Sequence, residues 1–288
     1  MLLHKLLKPL FSFLKRIRLL LVGLFTIGLP IFIYLAFLAK EPVFGPEMDV
    51  ELGRQTAQSF AEDPEVTLLS EEQYPEAYAH LRRIVGNLVS SPEVGYGDLF
   101  AYQDVKIIHD DGVLNAFCAP GGFIYVYTGI LRYMDAEDHL AGVLGHEIAH
   151  AELRHSSLRL QREFGVDRLF EFAVLSSPMT ITNVVHLAIL RDLTGLHYSR
   201  EQEAQADDYS VRYLADSGYA CDGTAGFFAK LLEEGDGVGV PAFLSDHPEP
   251  GARVRDIRRT AQELRCSTQL TAAASWRELQ AGLPPIER

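Results

Sequence analysis

The residues best suited to chemistry in this 288-residue chain are two histidines four apart with a glutamate directly after the first, His146-Glu147-Ile148-Ala149-His150. On an α-helix each residue advances about 100°, so positions i and i+4 lie within about 40° of one another, one turn apart. Both imidazoles can then meet one ion. Glu147 lies beside His146, where its carboxylate reaches a water next to the ion without ligating the ion itself. A zinc hydrolase needs this arrangement: the ion acidifies the water and polarises a carbonyl, and the glutamate accepts the proton. An ordinary helix with two histidines and a chance glutamate would carry the same letters, so the motif alone leaves the choice open. The neighbours narrow it, because Leu140, Val143, Leu144 and Ile148 demand burial of this helix and buried imidazoles need partners.

A catalytic zinc takes three protein ligands and keeps one position open. His155 is near in sequence, but five residues beyond His150 a helix turns it about 140° away, and the x-x-Gly-x-x-His continuation of one class of zinc peptidases is missing. Glu203 is the better third ligand. It stands near the start of another strong helical pattern, with Asp207 on the same face one turn later, where a carboxylate can hold a zinc histidine by its other nitrogen. Read without the first motif, the same acids are a negatively charged first helical turn, which is common.

Other segments must position these groups. Residues 47–60 and 72–90 have helical apolar spacing, as in Tyr78, Leu81, Ile84, Val85 and Leu88. Two β-rich runs, 104–108 and 123–128, flank the turn formers Asp110-Asp111-Gly112 and Pro120-Gly121-Gly122, which predicts a small antiparallel sheet. A helix over 136–155 follows, with Asp135 as its cap. Ser199 with Gln202 three residues later predicts a capped helix that stops by Gly218, residues 233–251 form a loop, and 252–265 a closing amphipathic helix. The fold class is therefore α+β and mostly helical.

Residues 19–39 hold 21 positions without a charge, enough to cross a hydrocarbon core of about 30 Å. A cleaved signal peptide would want small residues before Lys40, where Phe37 stands, so the segment reads as an uncleaved transmembrane anchor. Residues 1–18 supply five of the six bases in the first forty positions, and the positive-inside rule keeps them in the cytoplasm. The catalytic part, 41–288, is then outside. Residues 172–190 are also uncharged, yet Ser176, Ser177, Thr180, Asn183 and His186 make them too polar for a clear span; they read as helices of the outer domain that can lie against lipid. All 39 acids lie beyond residue 40 against twenty bases, a balance of −19 that repels phosphate backbones and disfavours nucleic acid. Of three cysteines, Cys118 reads as core, while Cys221 and Cys266 lie in turn-like surroundings where they could pair in an oxidising compartment.

Three blocks, "NAFCAPGGFIYVYTGIL", "GHEIAHAELRH" and "YSREQEAQADDYS", with a weaker fourth, "SDHPEPGAR", resemble the membrane-associated gluzincin zinc metallopeptidases, the family typified by the HtpX, BepA, Oma-type and CAAX prenyl endopeptidases. The likeness spans residues 115–253 in family order. It implies a zincin-type domain with a thermolysin-like pair of active-site helices, one Zn2+ per chain on His146, His150 and Glu203, and Asp207 beside them. Gln205 stands where a second Glu is frequent, and Ser210 where Gly is. The resemblance also implies an edge strand around 123–128 on which an extended substrate could lie, and a loop histidine, His247, that stabilises the oxyanion or shuts the open metal position. Arg253 is a weaker candidate of the same kind. The implied work is hydrolysis of misfolded or membrane-associated proteins at a bacterial inner membrane, with the catalytic domain in the periplasm and the bilayer as a partner through the N-terminal helix. A metal-binding chaperone or assembly factor and a single-substrate processing peptidase are the alternatives.

Overall fold

A computed structural model of the chain describes residues 15–18, 24–28, 41–162, 198–234, 243, 247, 250–271 and 274–286. Its contacts divide the chain into two units, Met1–Phe44 with Leu158–Ser176 and Gly45–Ser157 with Ser177–Arg288. In the first, a π-helical turn spans Leu24–Gly28, and Val43 donates its N–H to Gln161 Oε1 at 2.7 Å. Apart from that turn, the anchor expected over 19–39 lies outside the described residues, as does 172–190. Among the described residues no helix is long and apolar enough to cross a membrane.

The second unit opens with helices α1 (Pro46–Glu62) and α2 (Pro75–Val89). Each has proline in its first turn, where the missing N–H would be unpaired anyway and the fixed φ already suits a helix. On α2 the stripe Tyr78, Leu81, Ile84, Val85, Leu88 is buried in the main core, as its spacing predicts.

Strands β1 (Val105–Ile108), β2 (Ala116–Ala119) and β3 (Phe123–Tyr127) form one sheet in the order β1-β3-β2. The sheet is mixed and not antiparallel throughout: β2 runs antiparallel to β3, but β1 runs parallel to it. The extra strand explains the difference. A 3-10 turn over Pro120–Gly122, with Gly121 at φ 74° and Gly122 at φ 88°, folds β2 back onto β3 and leaves β1 only the opposite side. A Cβ on Gly121 would stand 2.5 Å from Val50 Cα, so α1 packs directly on this turn. The edge strand expected at 123–128 is thus the central strand. The outer side of β1 is occupied by Leu69 N–H donating to Ile107 O (2.9 Å) and His109 N–H donating to Thr67 O (2.8 Å). The edge turned toward the helices is β2. Because Tyr127 N–H donates to Asn115 O, the antiparallel alternation points the N–H and C=O of Ala116 and Cys118 away from β3.

After α3 (Thr128–Tyr133) comes α4 (Glu137–Glu152), buried almost end to end. Asp135 does not cap it; the cap residue is Ala136, and Asp135 instead pairs with Lys230 at 2.7 Å. Helix α5 (Arg200–Ala215) begins with the expected box, Gln202 N–H donating to Ser199 Oγ and Ser199 N–H to Gln202 Oε1. Among the described residues three more helices follow: α6 (Gly223–Glu234), α7 (Pro250–Leu264) and α8 (Ala274–Ala281). Glycines set the spacing around α4. A Cβ on Gly142 would lie 2.1 Å from Thr224 N, and one on Gly223 2.1 Å from Asp138 O, so α4 and the start of α6 touch backbone to backbone. On α5, Ser210 Oγ donates to Gly142 O at 3.0 Å and faces Gly145. Cys221 and Cys266 form a disulfide that joins the start of α6 to the end of α7, while Cys118 is a free, buried thiol.

Candidate metal centre

Helix α4 presents His146 and His150 one turn apart, and neither has any solvent exposure. Their Nε2 atoms lie 3.0 Å from one another. From the first turn of α5, Glu203 brings Oε2 to 3.5 Å from His146 Nε2 and Oε1 to 3.5 Å from His150 Nε2. His247 completes the group, with Nδ1 3.2 Å from His146 Nε2 and 2.9 Å from Glu203 Oε1. One ligand atom from each of these four residues lies within 4.8 Å of all the others.

Glu147 faces the same space. Its Oε1 is 3.3 Å from His247 Nε2, and its Oε2 accepts the Cys118 N–H of β2 at 3.3 Å. The base candidate is therefore held between the edge strand and the histidine cluster.

A second ring of contacts fixes the first. Asp207, one turn after Glu203, places Oδ1 3.0 Å from His146 Nδ1. Arg253, near the start of α7 and only 6% exposed, grips Asp207 with Nε at 2.7 Å and Nη2 at 2.6 Å, and reaches Glu203 Oε2 with Nη1 at 2.7 Å. His155 stands behind His150, Nδ1 to Nδ1 at 2.9 Å, and its Nε2 lies 3.1 Å from Gln205 Oε1. Tyr198 stacks on His150 with ring centroids 3.8 Å apart, and Phe243 stacks on His247 at 4.5 Å.

Burial governs the protonation of these groups. Desolvation, helped by the Arg253 charge, lowers the pKa of His146, and desolvation lowers that of His150 further. Both rings are neutral, the form that ligates metal. Burial likewise pushes His155 down to about 4. Burial alone would raise Glu203 and Asp207, but His247 and His150 outweigh it at Glu203, and Arg253 with His146 outweighs it at Asp207, so both stay ionised. At His247 burial is overcome by the carboxylates of Glu203 and Glu147, which raise its pKa.

The donor set fits a small divalent cation. Four ligands in a tetrahedron at 2.0–2.1 Å from an ion are about 3.3–3.4 Å apart, and five separations among these residues' atoms run from 2.9 to 3.5 Å, with Glu203 presenting Oε2 to His146 and Oε1 to His150 and His247. Charge agrees with distance. Among the described residues the site buries three carboxylates, Glu147, Glu203 and Asp207, against one guanidinium, Arg253, an excess of two negative charges. A proton on His247 offsets one of them, and a divalent cation offsets both.

All six site residues expected from the sequence meet here: His146, Glu147, His150, Glu203, Asp207 and His247. Arg253 proves central to the cluster, bridging two acids. His155 is outside the donor group, but it touches His150 and does not point away, because α4 ends at Glu152 and Arg154 turns left-handed at φ 53°. Tyr198 and Phe243 were not expected, since single aromatics beside a motif carry no spacing signal.

Comparison with known proteins places this geometry in context. The sequence model of peptidase family M48 matches residues 75–261. The chain is 28% identical over 187 residues to the mitochondrial metalloendopeptidase OMA1 of Arabidopsis thaliana, covering 63% of this chain and 35% of that protein. It is 24% identical over 220 residues to a putative beta-barrel assembly-enhancing protease of Vibrio cholerae, 69% of this chain and 45% of the other. To metalloprotease YcaL of Escherichia coli it is 26% identical over 190 residues, covering 65% and 69% respectively. The matched region thus spans less than half the length of the first two relatives.

Proposed function

The chain belongs to peptidase family M48, and on that premise we propose that it is a zinc-dependent metalloendopeptidase acting on protein substrates. The observation that carries this reading is the buried group His146, His150, Glu203 with Glu147 against it, where three buried carboxylates meet one guanidinium. His146, His150 and Glu203 would hold one zinc ion. When bound, zinc supplies a Lewis acid that lowers the pKa of water toward neutrality and polarises a peptide carbonyl. Glu147 takes the proton of the attacking water on Oε1 and passes it to the departing amine. Asp207 accepts from His146 Nδ1 and keeps that ring in place, and Arg253 holds Asp207. An extended substrate would lie along β2, whose outward N–H and C=O groups at Ala116 and Cys118 run beside Glu147.

His247 has two readings. Beside Glu147 it would donate to a developing oxyanion; yet its Nδ1 lies among the donors, which favours a latch that closes the open position until His247 leaves it. With His247→Ala, a latch predicts faster cleavage and an oxyanion donor slower cleavage.

The proposed setting is a bacterial inner membrane: residues 1–18 cytoplasmic, 19–39 an anchor in the bilayer, and 41–288 a peptidase domain in the periplasm that removes misfolded or misassembled envelope proteins. The uncharged stretch 19–39 supports the anchor, and the Cys221–Cys266 disulfide supports an oxidising compartment. The relatives named for beta-barrel assembly support the envelope role.

The test is metal content and casein cleavage of the full-length chain beside Glu147→Gln and Glu203→Ala. Wild type should carry one zinc and cut, Glu147→Gln should keep zinc and stop cutting, and Glu203→Ala should lose zinc. A chain that holds zinc in the same way but cuts no casein would instead be a metal-binding chaperone or assembly factor, or a latched, single-substrate processing peptidase.

A further inference from the structure

The two histidines of α4 are held from behind in different ways. His146 has a carboxylate, Asp207, at its Nδ1. His150 has another imidazole there, His155 Nδ1 at 2.9 Å. Two ring nitrogens at this distance share one proton, and the far side of His155 decides who owns it. His155 Nε2 faces Gln205 Oε1 at 3.1 Å, an acceptor, so Nε2 carries the hydrogen. A neutral His155 then offers a lone pair at Nδ1, and the proton between the rings belongs to His150. His150 Nε2 is left as a bare lone pair, aimed at His146 and Glu203.

We infer that His155, braced by Gln205, is a positioning residue that fixes the tautomer and ring plane of His150 so that Nε2 is free to ligate metal. The inference rests on the metal-binding reading proposed above.

The fold builds this relay deliberately at both ends. Arg154 adopts φ 53°, a conformation that disfavours side chains other than glycine, and it is held there by an ion pair with Asp49 and by donation to Gly45 O at 2.9 Å. Asp49, 1% exposed on α1, also accepts from Ser157 Oγ. The left-handed residue breaks the helical progression and returns His155 to His150. Gln205 follows Glu203 by two positions on α5, so the helix that brings the carboxylate ligand also brings the acceptor. Tyr198 stacks across His150 and fixes the remaining freedom of its plane.

The experiment compares full-length wild type, His155→Leu, His155→Asn and Gln205→Met. Zinc affinity is read by competition with a chromophoric chelator, and ligand geometry by the visible absorption of the Co2+-loaded chain. His155→Leu should bind zinc about 10–100-fold more weakly, the usual effect of losing a ligand's outer partner, with shifted Co2+ bands. His155→Asn, whose Oδ1 can accept from His150 Nδ1, should recover most of the affinity, and Gln205→Met should fall between. If His155→Leu does not fold, judged by thermal unfolding of the metal-free chain, Gln205→Met and His155→Asn carry the comparison. Unchanged affinity and bands in every folded variant overturn the inference and leave the zinc reading standing. A wild type that binds zinc no better than Glu203→Ala overturns the zinc reading, and this inference with it.

Discussion

Replacing Arg253 by methionine should expose how the metal centre balances its charges. The guanidinium is 6% exposed, makes contacts of 2.6 and 2.7 Å to Asp207 and 2.7 Å to Glu203, and lies 4.4 Å from the centroid of the Phe228 ring. Methionine keeps much of the stem's packing and removes only the charge and its donors. Asp207 and Glu203 would then lose the guanidinium that touches both, and the excess of buried carboxylates over guanidinium would rise from two to three. Breaking a buried pair by deleting one partner costs about 3–5 kcal/mol, a large share of the 5–15 kcal/mol that holds a typical domain. Urea unfolding of the metal-free chain is the assay, with Asp207→Asn and the double variant completing a cycle. Neutralising Asp207 removes part of the repulsion, so the double variant should be more stable than the two single losses predict, by about 1–3 kcal/mol. A loss below about 1 kcal/mol for Arg253→Met, or strict additivity in the cycle, would refute the charge argument. Loading the chain with zinc should shrink the effect, because the cation offsets the same carboxylates.

Three further outcomes follow from the fold. Glu137 is buried; burial alone would raise its pKa, but hydrogen bonds from His80, Arg83 and Tyr219 outweigh this and hold it well below the usual carboxylate range. With a folded pKa below the unfolded value of about 4.3, its contribution is complete above that pH and is lost as pH falls toward the folded value; Glu137→Gln should be less stable at pH 7 and show a shallower loss on acidification, measured by denaturant midpoints from pH 7 to 3. The Cys221–Cys266 bridge closes 45 residues, for which chain entropy predicts about 4 kcal/mol; Cys221→Ala with Cys266→Ala should unfold at correspondingly lower urea, and an unchanged midpoint would deny the bridge its role. Gly142→Ala should cost at least about 1–3 kcal/mol by overpacking against Thr224, whereas Gly218→Ala, at φ 84° with open space around it, should cost about 1 kcal/mol from backbone strain alone.

The parts of this architecture legible in the sequence were those governed by local rules. The i, i+4 histidines declare a shared face, and Ser199 and Gln202 declare a capped helix start, because each signal acts within one turn of chain. What stayed hidden depends on distant partners. Strand β2 reads Ala-Phe-Cys-Ala, without a β-branched residue, and is a strand because a glycine turn returns it to β3. With that strand overlooked, the sheet's direction and its edge could not be assigned correctly. Extrapolating α4 through residue 155 misplaced His155, because nothing local in Leu-Arg-His announces a left-handed arginine whose brace, Asp49, lies 105 residues away. Arg253 is only a weaker candidate by family resemblance until the fold delivers it between two acids.

The outward groups of β2 carry a consequence for how a peptide could be read. Only alternate residues, Ala116 and Cys118, point their N–H and C=O away from the sheet. A chain pairing with that edge and shifted by one residue must turn over about its own axis to bring its donors and acceptors back to the strand. Frames of one parity would then set one series of alternate side chains toward Glu147, and frames of the other parity the other series. Such an edge would tie the register of a bound peptide to the side chains it presents.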